Sequence, residues 1–136
     1  MPSQTRYGIT AQVRKPFDAT VEAARAALAA EGFGVLMEAD LKATFLKKLG
    51  AEHTPYVILG ACSPRDAFDA IQLEPDLGLL LPCNVIVRDA GNGTTHVAAL
   101  DPTAQLRLAG NAALEPAAAA IRDRLARAIA ALEAAP

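Results

Sequence analysis

Tryptophan is absent from this 136-residue chain, and phenylalanine and tyrosine together make up only 4 % of it. Apolar residues nevertheless account for 52 % of the chain, and much of this share is alanine. This composition excludes a core built on large aromatic rings and predicts one that is aliphatic and tightly packed. The length suits a single domain, residues 1–136, with a core of its own.

Clustered basic residues and long apolar runs are also missing. Thirteen Lys and Arg residues stand against fifteen Asp and Glu residues, which gives a net charge of −2. Nucleic-acid binding requires a basic face, so we expect no nucleic-acid partner. The apolar stretches fall far short of the roughly 20 residues that a membrane-spanning helix needs, and no apolar segment of a secretory signal follows residues 1–6. We therefore expect no membrane partner and a cytoplasmic location.

Cysteine is scarce as well, since Cys62 and Cys83 are the only two. In the reducing cytoplasm such a pair does not form a permanent disulfide. The two residues are therefore buried thiols, ligands or a reversible redox pair. The 20 residues between them match neither the C-x-x-C redox motif nor a zinc ribbon. Two cysteines alone do not complete a tetrahedral metal site, so no metal is predicted from them.

Hydrophobic periodicity predicts five strands and four helices. Asp18, Asp40 and Ser63 stand where helices begin and are expected to cap them. Pro82 predicts a bulge or an edge position in the fourth strand, and the Gly- and Asn-rich segment 89–93 predicts a hairpin loop. The predicted strands are 6–13, 33–38, 56–62, 79–88 and 94–100, and the predicted helices are 18–30, 41–49, 64–73 and 116–134.

The order β-α-β-α-β-α-β-β-α predicts an α+β fold with a single mixed sheet, antiparallel in part through the hairpin, and helices packed on it. The strand at 56–62 is nearly continuous in apolar residues, which predicts a central position covered on both faces. A short helical turn is expected to begin at Asp101 and to end at Gly110.

Both cysteines stand where an apolar run meets a turn, and rigid elements that end in loops often carry functional side chains. Cys62 and Ser63 precede a helix whose positive end favours a thiolate, so either a lowered pKa of Cys62 or a buried apolar role is expected. Cys83 lies between Pro82 and Asn84 at a predicted kink. The two cysteines converge if their runs are neighbouring strands.

Tyr56 and Lys47 flank the third strand and offer a phenol and a cation to an anionic ligand. The alternative is an ordinary strand tyrosine beside a solvated helix face. His53 and His96 are each isolated in the sequence. No nucleophile–histidine–acid order, zinc-binding helix or phosphate-binding loop is present, so neither an enzymatic activity nor a cofactor is assigned.

Two segments resemble the most recognisable blocks of the domain-of-unknown-function family numbered 302. They are YVILGACSP at residues 56–64 and GLLLPCNV at residues 78–85, supported by GFGVL at 32–36. The resemblance covers nearly the whole chain and implies a small α+β domain that is often dimeric in crystals. It implies no activity. Ser63 and Met37 depart from the family pattern, which has Asn and Thr at these positions.

Four hypotheses about function remain open. The first is a homodimeric domain that binds a small ligand in a pocket near Cys62 and Cys83. The second is a thiol-dependent redox protein or enzyme, with Cys62 as nucleophile and Cys83 as resolving partner. The third is a metal or haem site completed by dimerisation, and the fourth is a purely structural or protein-interaction domain. The candidate ligand-binding residues are Cys62, Ser63, Pro82, Cys83, Asn84, Tyr56 and Lys47.

Overall fold

Six strands and five α-helices fold over residues 3–134, the part of the chain that the computed structural model describes. None of the helices in these residues is long and apolar enough to cross a membrane. The strands are β1 (Ser3–Gln4), β2 (Gly8–Val13), β3 (Gly34–Asp40), β4 (Tyr56–Cys62), β5 (Cys83–Gly91) and β6 (Thr94–Leu100). The helices are α1 (Phe17–Ala30), α2 (Leu41–Leu49), α3 (Pro64–Leu73), α4 (Pro102–Leu106) and α5 (Glu115–Ala134), with short 3-10 helices at Pro75–Leu80, Arg107–Ala109 and Ala112–Leu114.

The strands form one sheet in the order β1-β2-β6-β5-β4-β3. Each neighbouring pair in this order is antiparallel. The α+β class and the single sheet predicted from the sequence are confirmed, whereas the mixed sheet is corrected to an antiparallel one. The reason lies in α2 and α3, which each join the ends of two adjacent strands. A parallel neighbour would require a connection that runs back along the whole sheet.

Helices α1 and α5 pack against each other and against one face of the sheet. Alternate residues of the inner strands point toward them and form the main core, which includes Ile9, Leu59, Val85, Val97, Leu28 and Leu125. Ile58 and Ile86, one position along β4 and β5, are only half-buried. The prediction that the strand at 56–62 is covered on both faces is therefore corrected: β4 lies inside the sheet, but the helices α1 and α5 cover a single face of it.

Local signals set several element boundaries as predicted. Helix α2 begins at Leu41 because the Asp40 carboxylate accepts a hydrogen bond from the Ala43 amide at 3.0 Å. The hairpin between β5 and β6 turns at Asn92, whose φ of 56° lies in the left-handed region that tight hairpins require. Asp18 is a correction, since α1 begins one residue earlier and Asp18 lies in its first turn without capping it.

The segment between α3 and β5 differs most from the sequence prediction. Residues 79 and 80, assigned to an extended strand, belong to the 3-10 helix Pro75–Leu80, and β5 begins only at Cys83. Leu77 of this helix is buried in a second hydrophobic cluster with Leu106 and Leu114. Burial of Leu77 in this cluster, under α4 and the start of α5, keeps residues 79 and 80 out of the sheet. Pro82 therefore stands before β5 and not inside a strand.

Candidate ligand-binding site

The ends of β4 and β5 bring the two cysteines together. Cys62 is the last residue of β4 and Cys83 is the first residue of β5. The two strands pair antiparallel, with Ala61 directly opposite Cys83. Cys62 therefore lies one position beyond the residue opposite Cys83, with Cα atoms about 6 Å apart from the usual strand spacing and rise. The predicted convergence of the two cysteines holds, because the strand that ends at Cys62 lies beside the strand that begins at Cys83. Both thiols are free.

Beside the two cysteines lies a small apolar cavity. Its volume is about 40 Å³, whereas a cavity that holds a single water molecule needs roughly 10–15 Å³. Cys62, Ser63, Pro82 and Cys83 line one side of it. The other walls come from α3, α4, α5 and the 3-10 helices Pro75–Leu80 and Ala112–Leu114, through side chains that include Ala67, Leu77, Leu106, Leu114 and Ile121. The cavity therefore joins the two segments that the sequence singled out.

Both thiols are neutral at physiological pH. Burial, followed by the charge of the neighbouring Cys62, raises the pKa of Cys83 to about 11. Burial, followed by the Asp66 carboxylate, raises the pKa of Cys62. The lowered pKa considered for Cys62 is therefore corrected. Asp66 stands in the first turn of α3, and its charge together with desolvation outweighs the partial positive charge of the helix terminus.

An ion pair and a hydroxyl group lie beside the cavity at the start of α3. Ser63 Oγ donates a hydrogen bond to Asp66 Oδ2 at 2.5 Å, and Arg124 of α5 pairs with the same carboxylate. The Arg124 guanidinium also lies 4.9 Å from the centre of the Phe33 ring and donates to the Glu31 carbonyl at 3.2 Å. Ser63 occupies the predicted cap position, but its side chain bonds to Asp66 instead of capping the α3 backbone.

Gln105 of α4 also lines the cavity. Its Oε1 atom is buried and has no hydrogen-bond partner within residues 3–134. A buried carbonyl oxygen without a donor is unfavourable and uncommon in folded proteins. The lining of the cavity is thus mostly apolar, with Ser63, Asp66 and Gln105 as polar exceptions, and the Gln105 oxygen is buried in the packing around it.

Three of the seven predicted site residues lie away from the cavity. Asn84 follows Cys83 along β5, so it points to the opposite side of the sheet, where it is exposed. Tyr56 stands at the other end of β4, about 20 Å from Cys62 given the rise of an extended strand. Lys47 is exposed on α2. The structure therefore brings Cys62, Ser63, Pro82 and Cys83 together, in line with their places at adjoining strand ends.

The two histidines are distant from the cysteine pair. His53 packs between the rings of Phe45 and Tyr56, with centroid distances of 5.5 and 6.1 Å. His96 lies on β6, where its Nδ1 is 3.2 Å from Gln12 Nε2; burial and nearby Arg88 lower its pKa. Within residues 3–134, no three His, Cys, Asp or Glu side chains are grouped to hold a metal ion. A metal site at the cysteines would therefore need ligands from outside the described chain.

Gln105 and Arg124 are site residues that the sequence reasoning missed. Arg124 follows Ile121 by three positions and precedes Ala128 by four, so helical spacing places it on the same side of α5 as these two apolar residues. Gln105 stands three residues after the buried Pro102, on the inner side of a short helix. Helical spacing alone could have placed both side chains on inward faces. It could not have identified the Asp66 carboxylate as the partner of Arg124.

An antiparallel sheet with helices packed on it, and a thiol-bearing apolar cavity at its strand ends, define the class of this molecule as a small α+β domain. The profile of the family described as Domain of unknown function DUF302 matches residues 9–132, and the chain belongs to this family. The resemblance noted at residues 56–64 and 78–85 is confirmed. The family description specifies no activity.

A solved structure supports the same assignment. The crystal structure of an uncharacterized conserved protein DUF302 from Bacillus stearothermophilus is similar to this chain, with 31 % sequence identity and a TM-score of 0.85. The similarity covers 94 % of this chain and 99 % of that one. Comparison with curated proteins finds no match.

Proposed function

We propose that this protein binds a small molecule in the cavity between the ends of β4 and β5. The observation that supports binding is the convergence of Cys62, Ser63, Pro82 and Cys83 on one apolar cavity. Ligand pockets are typically concave and apolar, with a few convergent polar groups. Direct ligand contact is proposed for these four residues and not for Asn84, Tyr56 or Lys47, which point elsewhere.

The protonation of the two thiols favours binding over thiol chemistry. A redox or nucleophilic cysteine reacts as its thiolate, and such residues have lowered pKa values. Both pKa values are raised here, and the nearby charge at Cys62 is the negative one of Asp66. Neither histidine lies beside the thiols as a general base. A neutral thiol behaves as a small apolar group with weak hydrogen-bonding capacity, which suits the wall of a pocket.

A pair of variants on one helix tests the binding proposal. Ala117 of α5 lines the cavity, whereas Ala119 of the same helix is exposed. Ala117→Leu fills the cavity, and Ala119→Leu is the matched control. Each protein is titrated with a panel of small fragments and followed by amide NMR spectra. We expect shifts at Ala61, Cys83 and Leu106 in the wild type and the control, and their loss in Ala117→Leu.

Two results would contradict binding at this place. One is a wild-type spectrum that no fragment changes near the cavity. The other is a set of shifts that Ala117→Leu leaves intact. Native mass spectrometry of freshly purified protein adds an independent readout, because a co-purified molecule gives an extra mass that the filled variant should lack.

A homodimer is proposed as the assembled form. β3 is an edge strand of the sheet, and Leu36 and Met37 on it are 61 % and 56 % exposed. An exposed apolar edge strand is a template for pairing with another strand. Antiparallel pairing of two copies centred on Met37 sets Glu38 of each chain opposite Leu36 of the other, which keeps the carboxylates apart. This arrangement has the two-fold symmetry of common dimers.

Molar mass in solution tests the dimer. Leu36→Lys places a charge on the edge strand, and Leu108→Lys places the same charge on an exposed leucine after α4. We expect light scattering to give a dimer for the wild type and for Leu108→Lys, and a monomer for Leu36→Lys. A monomeric wild type, or a Leu36→Lys variant that dimerises like the wild type, would reject pairing through β3.

The cytoplasm is the compartment proposed for this protein. Its two cysteines are neighbours at adjacent strand ends and are both free thiols. Neighbouring thiols persist where glutathione and thioredoxin keep them reduced.

A further inference from the structure

A row of four polar side chains crosses the sheet on the face opposite α1 and α5. The strand register sets Gln12 of β2 opposite His96 of β6, and His96 opposite Arg88 of β5. Arg88 in turn lies opposite Tyr56 of β4. Directly opposite side chains have Cβ atoms about 5 Å apart. The four side chains point away from the two helices, because the next residues along their strands belong to the main core: Val13, Val97, Val87 and Val57.

The positive charge of Arg88 in the middle of this row is not balanced. Arg88 is half-buried, and among residues 3–134 no side chain forms an ion pair or a hydrogen bond with its guanidinium. The positions of β2, β4, β5 and β6 that point to this face hold no carboxylate. Asp89, the next residue along β5, accepts a hydrogen bond from the Gly91 amide at 3.0 Å. A guanidinium that has lost part of its water gains from an anionic partner.

The two neighbours of Arg88 in the row are hydrogen-bond donors without charge. Burial and then the positive charge of Arg88 lower the pKa of His96, so its imidazole is neutral at physiological pH. Gln12 Nε2 lies 3.2 Å from His96 Nδ1 and donates to it, which leaves the imidazole proton on Nε2. Tyr56 supplies a phenol O–H on the other side of Arg88. An oxygen above Arg88 therefore has donors on both flanks.

An apolar row lies beside the polar one on the same face. Ala98 of β6 stands opposite Ile86 of β5, and Ile86 stands opposite Ile58 of β4. All three side chains are half-buried. Two residues along a strand span about 7 Å, so the two rows are this far apart. The face thus offers one unpaired cation next to an aliphatic surface.

We propose that this face of the sheet binds a small organic acid, with one carboxylate on Arg88 and an apolar body on Ile86 and Ala98. The guanidinium pairs with the two carboxylate oxygens through parallel N–H groups, and His96 and Tyr56 donate from the flanks. One unpaired cation matches one negative charge, whereas a doubly charged phosphate would keep an uncompensated charge. The site lies on the other side of the sheet from α1 and α5 and does not depend on ligand binding in the cavity.

The test compares hexanoate with hexanamide, which has the same chain without the charge, and with acetate, which lacks the chain. Binding is measured from NMR shifts of the His96 imidazole protons and of the Ile86 and Ala98 amides. We expect hexanoate to bind about tenfold more tightly than hexanamide, the ratio that a charge-assisted hydrogen bond supplies. Acetate should bind less tightly than hexanoate because it buries less apolar surface.

Variants of two arginines identify the cation that selects the acid. Arg88→Gln should bind hexanoate and hexanamide equally. Arg107→Gln removes the same charge from an exposed arginine after α4 and should keep the wild-type preference. Tyr56→Phe is a second variant that removes only the phenol O–H, and it should weaken hexanoate binding about threefold without a change for hexanamide. This variant decides the question if Arg88→Gln does not fold.

Three results would overturn the site. The first is equal affinity of the wild type for hexanoate and hexanamide. The second is a set of hexanoate shifts that Arg88→Gln, or Tyr56→Phe in its place, leaves unchanged. The third is the absence of shifts at His96 with every probe. If Ile86→Lys then also converts a dimeric wild type into a monomer, this face is a contact between two copies of the chain. Shifts at Ala61 and Leu106 report on the cavity separately, so failure here leaves the proposed function untouched.

Discussion

At the scale of single residues, Cys83 shows how burial determines the protonation state of a thiol. Its side chain is 8 % exposed, and its pKa of about 11 compares with an ordinary value of 9.0. Removal of the thiolate from water favours the protonated form. The strand ends therefore hold two neutral thiols, and the sequence could not distinguish this state from an activated one, because the Asp66 charge and the depth of burial both arise from packing.

The raised pKa of Cys83 predicts a loss of stability at alkaline pH. Below pH 9 the thiol is protonated in both the folded and the unfolded chain. Between pH 9 and 11 only the unfolded chain releases the proton, so the free energy of unfolding falls, by about 2 kcal/mol at pH 10.5. The alanine variant lacks this effect. We expect the stability difference between wild type and Cys83→Ala, measured by urea unfolding, to shrink from pH 8 to pH 10.5.

The two proteins differ only at residue 83, so the difference between them isolates the effect of this thiol. A gap between wild type and Cys83→Ala that stays constant with pH would show that the thiol is not held neutral by the fold.

Gly60 provides a second prediction for a single residue. A Cβ at this position would lie 2.8 Å from Cγ of Pro82, a ring atom that cannot rotate away. Gly60→Ala should therefore displace Pro82 at the cavity and lower the free energy of unfolding by about 1–3 kcal/mol, the usual range for overpacking. Urea unfolding measures the change. Gly34→Ala, on β3 with open space around its Cβ, is the matched control and should stay within about 0.5 kcal/mol of wild type.

At the scale of elements, Asp101 joins three parts of the fold. Its carboxylate accepts hydrogen bonds from the Thr103 amide at 2.9 Å at the start of α4, from Gln4 of β1 at 3.2 Å and from Arg122 of α5 at 3.1 Å. The predicted start of a helical turn at Asp101 is confirmed, and this residue caps α4. The two contacts with Gln4 and Arg122 could not be predicted, because the partners lie 97 and 21 positions away.

The lowered pKa of Asp101 predicts that the folded protein loses stability in acid. Burial tends to raise its pKa, but the hydrogen bonds of Thr103 and the bond and charge of Arg122 lower it more, so the net shift is downward from 3.8. Its contribution to stability is present above pH 4 and is lost as the pH falls below that value. Asp101→Asn should lower the free energy of unfolding by about 2 kcal/mol at pH 7, with a smaller difference at pH 3.

The control for this experiment is Asp123→Asn, at an exposed aspartate on α5. It should have little effect at either pH. An Asp101→Asn variant whose deficit is equal at pH 7 and pH 3 would contradict the assignment of a lowered pKa.

At the scale of the whole molecule, the position of the cavity depends on helices α2 and α3, which each connect two neighbouring antiparallel strands. They leave one end of the sheet, with Cys62 and Cys83, under α3, α4 and the first half of α5. The second hydrophobic cluster around Leu77 lies at this end, next to the main core. Packing between the two clusters is incomplete beside the cysteines, and the cavity is the space that remains.

The sequence by itself determined the elements whose signals are local. The bounds of α2 and β6, the turn at Asn92 and the cap at Asp40 all follow from residues within a few positions of one another. Tertiary structure alone decided the antiparallel sheet order, the single covered face, the raised thiol pKa values and the pairing of Arg124 with Asp66, which are 58 positions apart. Chain neighbours fix a backbone conformation, but burial, charge pairing and cavities depend on groups that only the folded chain brings together.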